Sequence, residues 1–186
     1  MKITFELSDT DLDHFRDVMH NARSQSKDLS QDQVIENARQ LLHQVWSSET
    51  SDFIRERMHR LETMIGMVVD EGWALEQDDC SRVLQALSYF SEPEDLIPDD
   101  IPGLGFLDDA IMIEMVSQEL QHEIQAFRDF CVFRAAESNR LGDNAKDLER
   151  SDWLEERRKQ LHSRMRRRRR RGKSDGKSGN SPFSLF

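Results

Sequence analysis

Ser30-Gln31-Asp32-Gln33-Val34-Ile35-Glu36-Asn37-Ala38-Arg39-Gln40-Leu41-Leu42-His43-Gln44-Val45-Trp46 reads as one helix, and the rest of the chain follows its pattern. Ser30 can accept the Gln33 backbone N–H while the Gln33 side chain returns to Ser30, a capping box that satisfies two otherwise orphaned donors. Behind it Val34, Ala38, Leu41, Leu42 and Val45 recur at three- and four-residue steps, which places them on one inward face. Upstream, Ser8 caps a helix to about Arg23 that carries Leu12, Phe15, Val18 and Met19. Downstream, Ser51 or Asp52 caps a third, striped by Ile54, Met58, Leu61, Ile65 and Val68. A fourth runs from about Asp78 to Phe90 through Val83, Leu84 and Leu87, and a long fifth from about Leu107 to Glu137. That fifth helix carries Met112, Val116, Leu120, Ile124, Phe127 and Cys131. Only Lys2 to Leu7 alternates polar and apolar residues, as a short strand or extended lead-in would. The predicted fold is all-α: a compact bundle of about five helices with a Pro/Gly-rich connector, then a charged C-terminal helix and a disordered tail. The expected divisions are a helical domain over 1–144, a charged arginine-rich helix over 145–171 and a tail over 172–186.

Charge is segregated along this chain. Of 26 Lys/Arg and 36 Asp/Glu in all, Arg157 to Lys177 holds 12 basic residues and a single acid, Asp175, a local charge of +11. The remainder has 14 basic and 35 acidic residues, so a net charge of −10 hides a body at −21 and a strongly cationic end. Mean hydropathy is −0.74, and the longest apolar run, Met64 to Val69, is far short of the roughly 18 residues of a membrane span. The start has no run of signal-peptide length. Cys80 and Cys131 lack CxxC or His-linked spacing and read as reduced thiols, which places the protein in the cytoplasm.

Between the fourth and fifth helices, Ser91 to Gly105 concentrates three of the four prolines (Pro93, Pro98, Pro102) with Gly103 and Gly105, a density that forbids regular helix. Its core, Asp95-Leu96-Ile97-Pro98-Asp99-Asp100-Ile101-Pro102-Gly103-Leu104-Gly105-Phe106-Leu107-Asp108-Asp109, resembles the signature of the YkvA family, a domain of unknown function called DUF1232. The resemblance rests on Asp95, Pro98, Asp99, Pro102, Gly105, Asp108 and Asp109 and extends loosely over about 90–131. It implies a small helical unit and no established activity. Asp100 stands where an aromatic or apolar residue is usual. Glu114, Glu119, Glu123 and Asp129 make the following helix more polar than in many relatives, so a soluble member is expected.

The connector acids Glu92, Glu94, Asp95, Asp99, Asp100, Asp108 and Asp109 are hard oxygen donors of the kind Ca²⁺ or Mg²⁺ takes. Their spacing fits no EF-hand loop, and aspartates also cap helices and stabilise turns, so structural use is the preferred reading. Asp109 shares an arc with Val116 and Leu120 and is expected to find backbone N–H partners in the loop. Glu56-x-x-His59 and Glu119-x-x-His122 resemble di-iron ligand pairs, with Glu36 on a third helix. Both pairs fall away from their apolar stripes, where a buried metal could not use them. No phosphate-cradling glycine loop and no nucleophile–base constellation is present, so no catalytic residue and no cofactor is assigned.

Function therefore centres on the cationic end. Arg157, Arg158, Lys159, Arg164, Arg166, Arg167, Arg168, Arg169, Arg170, Arg171 and Lys173 form the candidate nucleic-acid contact, because guanidinium forks match phosphates and arginine-rich segments order on RNA. The expected role is a non-enzymatic adaptor or binding protein for nucleic acid, RNA before DNA, or for a ribonucleoprotein. Trp153, beside this run, could stack on a base. Anionic lipid is the lesser partner, since the helix lacks a broad apolar face. A metal- or ligand-binding bundle built on the connector acids is a further alternative. The bland reading is a charged arm that folds back on its own acidic body. Finally Ser181-Pro182-Phe183-Ser184-Leu185-Phe186 offers Phe183, Leu185 and Phe186 to an apolar pocket on a protein partner. Ser184-Leu185-Phe186 resembles the end of the bacterial sliding-clamp peptide, with Pro182 where that peptide has glutamine.

Overall fold

Apolar side chains at three- and four-residue spacing must be buried against one another, and seven helices among the described residues do so. The computed structural model describes residues 6, 8–25, 29–91, 97, 101, 104–141 and 152–175. Among these the order is α1 (Asp9–Gln25), α2 (Gln31–Ser47), α3 (Asp52–Val69), α4 (Gln77–Leu87) with a 3-10 turn over Ser88–Ser91, α5 (Leu107–Glu119), α6 (Gln121–Leu141) and α7 (Asp152–Asp175). No strand occurs among the described residues, and the fold is all-α. The alternating start, most of the connector and the C-terminal tail lie outside the described residues.

Local signals fix the ends of the early helices. The Ser30–Gln33 capping box forms in both directions, and the Ser51 side chain accepts the Ile54 N–H. α2 buries Val34, Ile35, Ala38, Leu41, Leu42 and Val45, and α3 buries Ile54, Met58, Leu61, Met64, Ile65 and Met67. α3 runs through the middle, packed on α2 and α4 and then on α5 and α6. At Gly66 an added methyl would sit 3.3 Å from Phe127 Cε1, so the missing side chain lets α6 approach α3 closely.

Two expectations need correction. The long fifth helix is two helices, divided at Leu120, where the backbone turns to φ −94° and ψ 17°. Leu120 is fully buried and continues the apolar stripe, so periodicity runs straight through the bend. No proline or glycine marks it in the sequence. In addition α5 is not striped: Ala110, Ile111, Met112, Ile113, Met115 and Val116 are all buried, which is the pattern of a helix enclosed on every side. The charged helix is observed from Asp152 to Asp175, and 145–151, where the sequence suggested its first turns, lies outside the described residues.

Candidate nucleic-acid interface

The arginine run lies on α7, and α7 is a packed element of the bundle. Leu154, Leu161 and Met165 are each at most 3% exposed and seat the helix along α6. Those side chains form an inward row at about 100° per residue, and Arg158, His162 and Arg169 fall on the same arc. His162, buried among them, meets Trp73 edge-on with ring centroids 4.2 Å apart. Trp73 in turn packs on Phe127 and Phe130 of α6, so the docking of α7 completes an aromatic cluster.

Around this apolar seam the arginines divide into two sets. The inner set is tied to the body. Arg169 Nη1 donates to Asp79 Oδ1 at 2.6 Å and to Glu123 Oε1 at 2.9 Å, and both carboxylates are essentially inaccessible. Arg82 lies 3.7 Å from Glu123 and 3.7 Å from Glu119, so the buried charges form a small network. Arg166 holds Glu76 through both guanidinium nitrogens, the Nη2–Oε1 bond being 2.6 Å. Arg164 pairs with Asp129 of α6, Arg158 reaches the Gly72 carbonyl at 3.4 Å, and Arg157 lies over the Phe133 ring at 5.2 Å. Deletion of Arg169 is costly because the buried Asp79 and Glu123 carboxylates stay desolvated.

The outer set faces solvent. Arg167, Arg168, Arg170 and Arg171 are exposed, and Arg167, Arg168 and Arg170 pair with no carboxylate among the described residues. Lys159, also exposed, is bridged to Glu155 one turn earlier at 2.6 Å. Glu155 and Glu156 make the first turns of the outer face mixed in sign, so the cationic surface is confined to the C-terminal half of the helix. Lys173 falls within the last turn of α7.

The electrostatics follow the contacts. The Arg166 hydrogen bond holds the Glu76 carboxyl below its ordinary range, and the same bond raises the Arg166 guanidinium. Burial works against the charge on Arg169, yet the hydrogen bonds it donates to Asp79 and Glu123 outweigh it and raise the guanidinium pKa. Burial is the main cause that pushes His162 down, reinforced by Arg166, so the imidazole is neutral in the docked helix.

Other residues singled out in the sequence are used structurally or lie elsewhere. Asp108 and Asp109 are both buried at the start of α5. Asp108 accepts the Ile97 N–H of the loop, at 3.0 Å, and both acids sit where the helix dipole favours negative charge. Gly105 is buried and donates to Ile101 O at 2.8 Å, just before Phe106 turns into the left-handed region at φ 63°. Asp95, Pro98, Asp99 and Pro102, with Phe183, Leu185 and Phe186, lie outside the described residues, as does the Trp153 side chain. Glu56 bridges to Arg57 at 2.9 Å and His59 to Glu62 at 2.9 Å, both on the exposed side of α3. Among the described residues no three His, Cys, Asp or Glu side chains converge on a metal position, and no helix is long and apolar enough to cross a membrane.

Of the carboxylates that receive the arginines, the sequence marked Glu123 and Asp129 only as polar positions of a helix, and Glu76 and Asp79 not at all. A signal was present on the helix side: the Leu154–Leu161–Met165 arc includes Arg158 and Arg169. Residues 82–115, from α4 through most of α5, match the family described as "Protein of unknown function (DUF1232)", in agreement with the resemblance seen in the connector. Comparisons with curated proteins and with solved structures each returned no match.

Proposed function

We propose that this protein is a non-enzymatic, cytoplasmic nucleic-acid-binding protein, with RNA as the favoured partner, and that the outer face of α7 is its contact. The observation that carries the reading is four exposed arginines, Arg167, Arg168, Arg170 and Arg171, on one packed helix of an otherwise acidic chain. The guanidinium groups of Arg167, Arg168 and Arg170, held on a rigid scaffold, keep their forks available for phosphate oxygens without ordering a whole arm on binding. The body at −21 repels phosphates everywhere else and confines the contact to α7. The inner arginines serve the fold, so the contact is narrower than the full basic run.

The test is a fluorescence-anisotropy titration of a 20-nucleotide uridine oligomer, duplex DNA and anionic vesicles, with the intact protein. Removal of α7 is unsuitable as a control, because Leu161 and Met165 belong to the core. The control is Arg167→Gln/Arg168→Gln/Arg170→Gln/Arg171→Gln. RNA binding that this variant loses supports the reading. Binding to vesicles alone would replace RNA with lipid, and binding to none would end it.

A further inference from the structure

We propose that the acidic bed under α7 is an internal competitor for the helix's arginines, and that a polyanion which captures the inner set lifts α7 off α4 and α6. The inference rests on the reading of α7 as a nucleic-acid contact and adds its regulation. Arg164, Arg166 and Arg169 are occupied by Asp129, Glu76, and Asp79 with Glu123, respectively. A carboxylate engages the same guanidinium fork that a phosphate uses, so each of these arginines serves the bed or the ligand, not both. The docked state offers only the outer arginines, and release offers the inner ones as well.

The strength of the latch is graded. The Glu76 side chain is 59% exposed and that of Asp129 is 30% exposed, so Arg166 and Arg164 hold pairs that water and ions can reach. Arg169 holds carboxylates that are 3% and 0% exposed, and it lets go last. Among the described side chains of α7 the buried apolar ones are Leu154, Leu161 and Met165, and the ion pairs of Arg164, Arg166 and Arg169 flank them, so charge adds to the docking. Because only the released fraction can present every arginine, the docked state lowers the apparent affinity by that fraction. Release also has an internal reporter: Trp73 is fully buried behind His162 and would meet water when α7 leaves.

The experiment compares E76Q/D129N, which opens the two accessible latches, with E36Q/E49Q. The second pair neutralises exposed acids remote from α7 in sequence and changes net charge equally. A labelled 20-nucleotide uridine oligomer reports affinity for each full-length protein. Trp73 emission is followed with unlabelled oligomer in a Trp46→Phe/Trp153→Phe background. The proposal expects E76Q/D129N to bind about tenfold tighter than E36Q/E49Q, and Trp73 emission of the otherwise unaltered protein to shift to the red at saturation. RNA binding by the latch-opened variant alone would also support it, as complete masking by the bed. Equal binding by the two variants, with Trp73 emission unchanged at saturation, would overturn the competitor and leave the outer-face contact standing. Failure of every protein to bind the oligomer would overturn the nucleic-acid reading, and the regulation with it.

Discussion

Arg169 and Arg170 are neighbours in a run of six identical residues, and the structure gives them opposite roles. Replacement of Arg169 by alanine leaves Asp79 and Glu123 desolvated without their shared donor. Loss of one partner from a buried pair costs about 3–5 kcal/mol. Arg82 remains 3.7 Å from Glu123, and the Arg169 side chain is itself 23% exposed, so part of that cost is recovered. We expect a loss of about 2–3 kcal/mol. Arg170→Ala removes an exposed side chain with no partner among the described residues and should stay within about 0.5 kcal/mol. With a urea m of about 2 kcal/mol/M, the Arg169 variant should unfold about 1 M earlier while the Arg170 variant unfolds with the parent. Restoring neutrality in the bed, with Asp79→Asn/Glu123→Gln added to Arg169→Ala, should recover part of the loss. Coincident midpoints for Arg169→Ala and Arg170→Ala would refute the division of the run into inner and outer sets.

Leu161→Ala, at a site 1% exposed, should cost about 2–5 kcal/mol and expose Trp73 to acrylamide quenching. His162 is neutral when docked and Arg158, Arg166, Glu76 and Asp79 surround it, with burial the main cause of its lowered pKa. The unfolded chain therefore binds its proton more readily, so stability should fall as pH drops below about 6.5, and His162→Leu should flatten urea midpoints between pH 5 and 7. At Asp70, burial pushes upward, but the two-pronged bond to Arg134 and the Trp73 N–H hold the carboxyl below its ordinary range. Its contribution is present above about pH 4 and lost below it, so Asp70→Asn should lower the midpoint at pH 7 while narrowing its difference from the parent at pH 3. Asp108→Ala should cost about 1–3 kcal/mol through the lost Ile97 hydrogen bond and helix-start charge, read by thermal unfolding.

Much of the fold was legible because its signals are local. Ser30, Gln33 and Ser51 act within one helical turn of themselves, and the α2 and α3 stripes are periodic over several turns. The bend at Leu120 was not legible, since it interrupts neither the apolar pattern nor helix propensity. The enclosure of α5 depends on neighbours from every side, which periodicity within one segment does not report. For α7 the sequence revealed the charge and the three apolar seats. It could not reveal that Asp79 on α4 and Glu123 on α6, 44 residues apart, meet one guanidinium. A run of like residues looks uniform along the chain, and only the helical period and the bed beneath it separate Arg166 and Arg169 from Arg167 and Arg170.

The most direct measurement is the salt dependence of RNA binding for the parent and for the variant with Arg167, Arg168, Arg170 and Arg171 replaced by glutamine. Each phosphate contact on a single strand contributes about 0.7 to the slope of log K against log salt, so the variant's slope should be shallower by about 3. Its affinity at low salt should fall at least about tenfold, with urea stability unchanged. Equal slopes and equal affinities would contradict the assignment of the outer face of α7 as the nucleic-acid contact.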